Sequence, residues 1–284
     1  MSKILVLGST GNIGWPLVQD LYEKDGVTVV AGIHRHVTPA MKQLGVPTVR
    51  FDFLDAGTFE PALAGVDKVF FVRPPQLAHP EKDMLPFLQA VKTHNIKQVV
   101  FISLMGVEHN PMVPHRKIER MIVDMDLPHT FIRPSFFMQN LTTSHGVDLR
   151  LRHDLFVPAG NAKTSFIDAR DIAAAAAVVL TDPQYLGQAL TITGPEALTY
   201  QQVAKIMTQV TGVKITYSKP SLMRFRRTML KRGIKKDFVN VMVMLYVITQ
   251  LGNAKVTNEV LSQIIGRPGR TIADFARDEV KPTL

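Results

Sequence analysis

Short apolar runs alternate with helix-like stretches through the first half of the chain. The runs fall at residues 3–7, 27–33, 48–53, 68–72, 98–103 and 129–133 and are rich in Val, Ile and Phe. Between them, residues 12–23, 39–44, 58–63, 81–93 and 115–125 read as helices. Short strands separated by helices predict βαβ units and a parallel sheet. Local punctuation agrees. Thr38-Pro39 reads as an N-cap followed by Pro at the first helical position. Asn95 suits the left-handed residue that closes a helix.

After Pro134 the pattern loosens. Residues 136–168 read as loop-rich, with short strands at 155–158 and 165–167. A helix follows over 172–180 with Asp168 as its N-cap, then a strand at 188–193. Thr199-Tyr200-Gln201-Gln202 has the form of a capping box opening a helix over 203–211. From Pro220 onward the chain reads as helical, with Thr271 opening the last helix. The apolar stretch 238–251 contains Asn240, Thr249 and Gln250; a membrane span needs about 20 apolar residues, so a buried helix is expected there.

Composition narrows the function classes. Apolar residues make up 46% of 284 and charged residues 20%, an ordinary globular balance. There is no cysteine, which removes disulfides, thiolate metal sites and a cysteine nucleophile and fits a cytoplasmic setting. The first residues carry too short an apolar run for a secretory leader, and no histidine spacing predicts a metal site. The net charge is +9, concentrated at Arg224, Arg226, Arg227, Lys231, Arg232, Lys235 and Lys236. That segment, 224–236, is either a solvated helix face packed through Phe225, Met229 and Leu230 or a contact for an anionic protein partner. No nucleic-acid recognition motif accompanies it, and nothing fixes the oligomeric state.

The candidate chemistry begins directly after the first strand. Gly8, Gly11 and Gly14 are spaced G-x-x-G-x-x-G in Gly8-Ser9-Thr10-Gly11-Asn12-Ile13-Gly14. Gly8 permits the tight turn, Gly11 a close backbone approach to a pyrophosphate, and Gly14 close packing of helix on sheet. The helix N-terminus then offers free N–H groups and the positive end of its dipole to phosphate. The alternative is a purely structural turn. The second strand ends Ala31-Gly32-Ile33-His34-Arg35-His36, without the acid that would bind the ribose hydroxyl of NAD. Arg35 instead matches a 2′-phosphate and predicts NADP over NAD, unless it is only an exposed loop charge. The fold expected is α/β: a Rossmann-type doubly wound parallel sheet over 1–135, then a smaller, mainly helical substrate lobe over 136–284. Elements around 164–194 are expected to return to the Rossmann core.

These residues, taken together, resemble the NmrA-like group of atypical short-chain dehydrogenases. The glycine motif, Arg35, Asp52-Phe53, Val72-Arg73-Pro74-Pro75, Phe101-Ile102-Ser103, His115-Arg116-Lys117-Ile118-Glu119, Ile132-Arg133-Pro134-Ser135-Phe136-Phe137-Met138-Gln139-Asn140, residues 166–173 and Leu198-Thr199-Tyr200 carry the likeness. The resemblance implies that Thr10, Asn12 and Ile13 line the pyrophosphate and that Asp52 and Phe53 flank the adenine. It implies that Val72, Arg73 and Pro74 pass beside the ribose and that Pro134 and Phe136 sit by the nicotinamide. Phe136, Phe137 and Met138 would line an apolar substrate pocket.

One departure stands out. Extended short-chain dehydrogenases carry Tyr-x-x-x-Lys, and the matching positions are Pro111 and His115. Members of the group without the pair resemble quinone reductases or cofactor-sensing regulators. A reductase is expected here, transferring hydride from NADPH to a quinone or a similar electron-poor small molecule. The alternative is a non-catalytic NADP(H)-binding regulator. In the reductase reading His115 is the acid, by its near-neutral reference pKa, and Ser103 donates to the acceptor oxygen. Their bland readings are a solvent-facing helix start and a strand-end cap.

Overall fold

Apolar strands stacked edge to edge form the centre of the computed structural model, which describes residues 1–284. The chain divides into two units. One holds residues 1–134 and 172–192, the other 135–171 and 193–284.

In the first unit the strands are β1 (Ser2–Val6), β2 (Val27–Ile33), β3 (Thr48–Arg50), β4 (Lys68–Val72), β5 (Gln98–Ile102) and β6 (His129–Pro134). Two short strands of the second unit follow, β7 (Phe136–Phe137) and β8 (Lys163–Ile167), before β9 (Ala189–Ile192) completes the first unit's sheet. Its order is β3-β2-β1-β4-β5-β6-β9, and every pairing is parallel. The chain reverses direction across the sheet between β1 and β4, and the crevice at the carboxyl ends there is where open α/β sheets bind ligands. The connecting helices are α1 (Gly14–Tyr22), α2 (Pro39–Leu44), α3 (Phe59–Leu63), α4 (Pro80–Asp83), α5 (Leu85–Thr93) and α6 (Pro114–Asp124). One core packs Phe51, Phe53, Phe71, Phe87, Phe101 and Phe131 against Leu88, Ile118 and Ile122.

The expected strands and helices of this unit are present, with two adjustments. The helix expected at 81–93 is broken at Met84, because Pro86 in the first turn of α5 has no N–H to continue the ladder. The third strand stops at Arg50, although Phe51 N still donates to Ile33 O at 2.9 Å. Beyond it the Thr58 hydroxyl bonds both Asp52 N (3.1 Å) and Asp55 O (2.7 Å) and turns the chain. Thr38 caps α2, and Asn95 adopts φ 52°.

The second unit contains α7 (Gly146–Arg152), a three-stranded sheet in the order β10-β8-β7 with β10 at Ala197–Thr199, and the helices that follow α8 (Ala169–Thr181). These are α9 (Tyr200–Thr211), α10 (Leu222–Lys231), α11 (Lys236–Gln250), α12 (Val260–Ile265) and α13 (Ile272–Phe275). Both expected capping positions hold, at Thr199 and Thr271. No strand forms at 155–158; Leu155 and Val157 are buried, and only Asp154 bridges to Thr216. Helix α7 was not expected, because Val147, Leu149 and Leu151 alternate as in a strand. Only Leu149 is buried, and Asp148 beside it is drawn inward by Arg232 through bonds of 2.7 Å to each oxygen. The stretch expected as a buried helix is α11, but only one stripe of it is buried: Val239, Met242, Tyr246 and Thr249 face in while Val241, Leu245 and Val247 are exposed. No helix is long and apolar enough to cross a membrane.

Candidate functional site

The loop between β1 and α1 is exposed at Gly8, Thr10, Gly11 and Asn12, while Ser9 and Ile13 turn inward and are buried. Gly8 takes φ +75°, a conformation that L side chains seldom adopt. A Cβ on Gly14 would lie 2.9 Å from Ser9 Cα and closer still to the Gly8 carbonyl, so α1 begins where only glycine fits. No side chain caps α1 and no acid lies in its first turn. Its positive end is therefore open to an anion. Thr10, Gly11 and Asn12 form a cradle of exposed backbone at the β1–β4 crevice, which fits a dinucleotide's pyrophosphate.

Ser9 is a residue the sequence reading missed. Its hydroxyl donates to Gly32 O at 2.8 Å, fully buried, and ties the glycine loop to the end of β2. Arg35 stands three residues beyond that anchor, exposed and without an ion pair. The next position on that side, Asp52, accepts from Leu54 N (2.9 Å) and bonds His34 Nε2 (3.1 Å). Phe53 does not face outward: it is buried, edge-on to Phe51 at 4.8 Å and to Phe87 at 5.2 Å. Across the crevice Val72 faces Gly8, where a Cβ would approach it to 3.9 Å.

Past Val72 the Arg73 guanidinium folds back on its own loop. Its Nη1 donates to the carbonyls of Pro74 (3.0 Å), Pro75 (3.2 Å) and Leu77 (2.8 Å). Burial pushes its pKa down to about 10, with Asp83 opposing, so it remains a cation near neutrality. Ser103, 1% exposed, follows β5, and its hydroxyl has no partner. The His115 ring stacks on Phe101 at 5.9 Å, with Nδ1 enclosed and unpaired. Burial, and then the Arg73 charge, push His115 down to about 3. The near-neutral titration expected for this residue does not hold. At that value His115 is uncharged through the physiological range, which fits a neutral polar group and not an imidazolium acid.

Pro134 is buried, and its carbonyl accepts from Met105 N at 3.1 Å. In the second unit Phe136 and Phe137 are half-buried, with Phe136 edge-on to Phe166 at 5.6 Å and to Tyr200 at 6.3 Å. Met138 is 1% exposed and sits in that unit's core. The basic segment divides. The Arg232 side chain lies on Asp148 and is 27% exposed, Phe225 and Met229 are core, and Arg224, Arg227, Lys231, Lys235 and Lys236 are exposed.

Comparisons with known proteins agree with this architecture. The model of the NmrA-like family matches residues 1–266. The chain is 32% identical over 281 residues to the NAD(P)H azoreductase of Xenophilus azovorans, covering 96% of each. It is 28% identical over 290 residues to Prestalk A differentiation protein A of Dictyostelium discoideum, covering 99% of this chain and 93% of the relative. Among solved structures, the NADPH complex of an NADPH-dependent quinone oxidoreductase from Escherichia coli superposes with a TM-score of 0.83 at 23% identity, covering 96% of this chain and 98% of the other.

Proposed function

Because this chain belongs to the NmrA-like family, we propose that it is an NADPH-dependent reductase that delivers hydride to a quinone or a similar electron-poor small molecule. The observation that carries the reading is the carboxyl edge of the sheet. An open phosphate cradle at Gly8–Asn12 and a set of enclosed, unpaired polar atoms on Ser103 and His115 lie along the same edge. The azoreductase relative, alike over nearly its whole length, supports the same class of chemistry.

The cofactor supplies the hydride; the chain supplies position and polarity. Thr10 and Asn12 hold the pyrophosphate through backbone N–H groups and the α1 dipole, while Gly11, whose own N–H donates to Gly8 O at 2.9 Å, allows the close approach. Arg35 pairs with the 2′-phosphate, and Val72 and Pro74 bound the ribose side. Ser103 donates to the acceptor oxygen, and neutral His115 adds a second hydrogen bond. The final proton reaches the product from water. The test follows NADPH oxidation by absorbance against a panel of quinones, azo dyes and aldehydes. Turnover of quinones or azo dyes is the expected result; clear NADPH binding with no turnover of any acceptor overturns it.

That last outcome is what a second reading predicts, a non-catalytic NADP(H)-binding regulator. It is favoured by Pro111 standing where the related dehydrogenases carry their tyrosine.

A further inference from the structure

Arg73 and Ser103 are register neighbours. Val72 pairs with Ile102 at the ends of β4 and β5, and each polar residue is the next in its chain. One step further into the sheet Phe71 pairs with Phe101, the two rings stack at 4.7 Å, and His115 stacks on Phe101 in turn. The three polar residues thus cap one aromatic column. Each keeps one enclosed polar atom without a partner: Arg73 Nε, Ser103 Oγ and His115 Nδ1. Enclosed donors are rarely left unpaired, because the lost solvation is not returned. Three of them at one place mark a position that a ligand atom completes.

The charge at this place has no ion-pair partner, and only the Asp83 carboxylate acts on it through space. Arg73 is pinned from behind by the carbonyls of Pro74, Pro75 and Leu77, which fix its plane without neutralising it. It forms no ion pair; the nearby buried Asp83 carboxylate accepts from His79 N at 3.0 Å. A fixed cation with a free N–H, beside a hydroxyl and a neutral imidazole, suits an oxygen that carries negative charge.

We propose that Arg73, with Ser103 and His115, forms an oxyanion subsite for the acceptor oxygen that becomes negative on reduction, which makes carbonyl-bearing acceptors of the quinone type the preferred substrate class. This rests on the reductase reading above. When a quinone accepts the hydride at one carbonyl oxygen, a C–H bond of the reduced nicotinamide breaks and an O–H bond forms; the ring becomes aromatic and the π pair of the other carbonyl moves onto its oxygen. The product is a hydroquinone monoanion, which then takes a proton from water. A phenolate oxygen accepts several hydrogen bonds at once. An azo nitrogen offers one in-plane lone pair and suits a cation, a hydroxyl and an imidazole together less well.

The test uses para-nitrophenol, whose phenolate copies the charged oxygen of the half-protonated product, titrated into the NADP⁺-loaded protein. The readout is phenolate absorbance, independent of turnover. The expected result is preferential binding of the phenolate, so that the probe's apparent pKa falls. Arg73→Gln should weaken that binding on the order of tenfold or more and Ser103→Ala by a smaller factor, with NADP⁺ affinity little changed. Ser103→Ala removes only an unpaired hydroxyl, so its melting temperature should not fall, and it carries the test if Arg73→Gln folds poorly. Phenolate bound no better than phenol, or bound equally by both variants, overturns the subsite. A parallel comparison of kcat/KM should show Arg73→Gln losing quinone turnover more than azo-dye turnover. If no acceptor oxidises NADPH while phenolate binding still depends on Arg73, the reductase reading fails and the oxyanion subsite stands. If acceptors turn over with Arg73→Gln unimpaired, the reverse holds.

Discussion

Arg133 grips Glu119 with two N–H groups, Nε at 2.9 Å and Nη2 at 2.7 Å, and so locks β6 to α6. Glu119 is fully buried, and Arg116 adds a third bond at 3.2 Å. The hydrogen bond that Arg133 donates to Glu119 raises the Arg133 pKa, against burial. Removing one member of a buried pair leaves the other charge uncompensated, which costs about 3–5 kcal/mol. Arg133 keeps the Glu108 carboxylate at 3.2 Å, so Glu119→Ala is expected to cost the lower end of that range, about 3 kcal/mol, in denaturant melts, and Glu119→Gln less. A loss within experimental error would mean that packing of Ile118 and Ile122 alone holds α6, and with it His115, in place.

A second expectation concerns the glycine loop. Alanine at Gly14 forces its methyl into the Gly8–Ser9 backbone, which has no flexible end to yield. Alanine at Gly11 meets only the Gly8 carbonyl, at 3.2 Å, and needs a shift of a few tenths of an ångström. Gly14→Ala should abolish measurable NADPH binding and lower the melting temperature, whereas Gly11→Ala weakens binding with little thermal effect. Calorimetric titration with NADPH, alongside thermal melts, separates the two. Equal behaviour of the two variants would remove the close approach as the reason for Gly14.

These two sites differ in how far they were legible beforehand. The glycine loop could be read because its requirement is local: a left-handed turn and a close approach leave glycine as the residue that fits. The parallel sheet was legible for the same reason, since strands buried on both faces are continuous apolar runs such as residues 99–102. The Arg133–Glu119 lock joins residues from two elements, and a charged pair fourteen positions apart has no local signature. Arg73 and His115 were singled out as residue types in a motif. What they do depends on burial, which turns a titrating histidine into a neutral one and an exposed arginine into one folded on its own loop. Helix α7 was missed because its apolar residues alternate, and it is its burial of Leu149 and the Asp148–Arg232 fork that select helix.

Cofactor choice gives a third expectation. Arg35 is exposed, unpaired and next to a strand end that carries no acid. Hydrogen bonds to a charged group contribute about 1.5–3 kcal/mol, so Arg35→Ala should weaken NADPH binding roughly 10- to 100-fold. NADH affinity should stay as it was, because NADH has no 2′-phosphate to lose. Dissociation constants for both cofactors in both proteins decide it. If NADH binds the unaltered protein more tightly than NADPH does, the assignment of Arg35 fails.

The fourth expectation is a pH dependence of stability centred on His145 in the second unit. Its ring is buried, with Nε2 bonded to Tyr246 Oη at 2.6 Å, and burial pushes it from 6.5 down to about 4, Asp148 opposing and Arg232 adding to the fall. Above pH 6.5 the ring is neutral both folded and unfolded and contributes no pH dependence. As the pH falls from 6.5 towards 4, the unfolded chain takes up a proton that the folded protein refuses, so stability declines. At about pH 5 the histidine's share of the loss is about 2 kcal/mol, and it levels off near 3 kcal/mol once the folded form protonates. Carboxylates in ion pairs lower stability in the same direction, so the comparison must be with His145→Gln. Urea melts at about pH 7 and pH 5 should show the unaltered protein losing about 2 kcal/mol more than that variant. Equal losses would mean that His145 already carries a proton in the folded protein at pH 5, and that Asp148 rather than burial sets its charge.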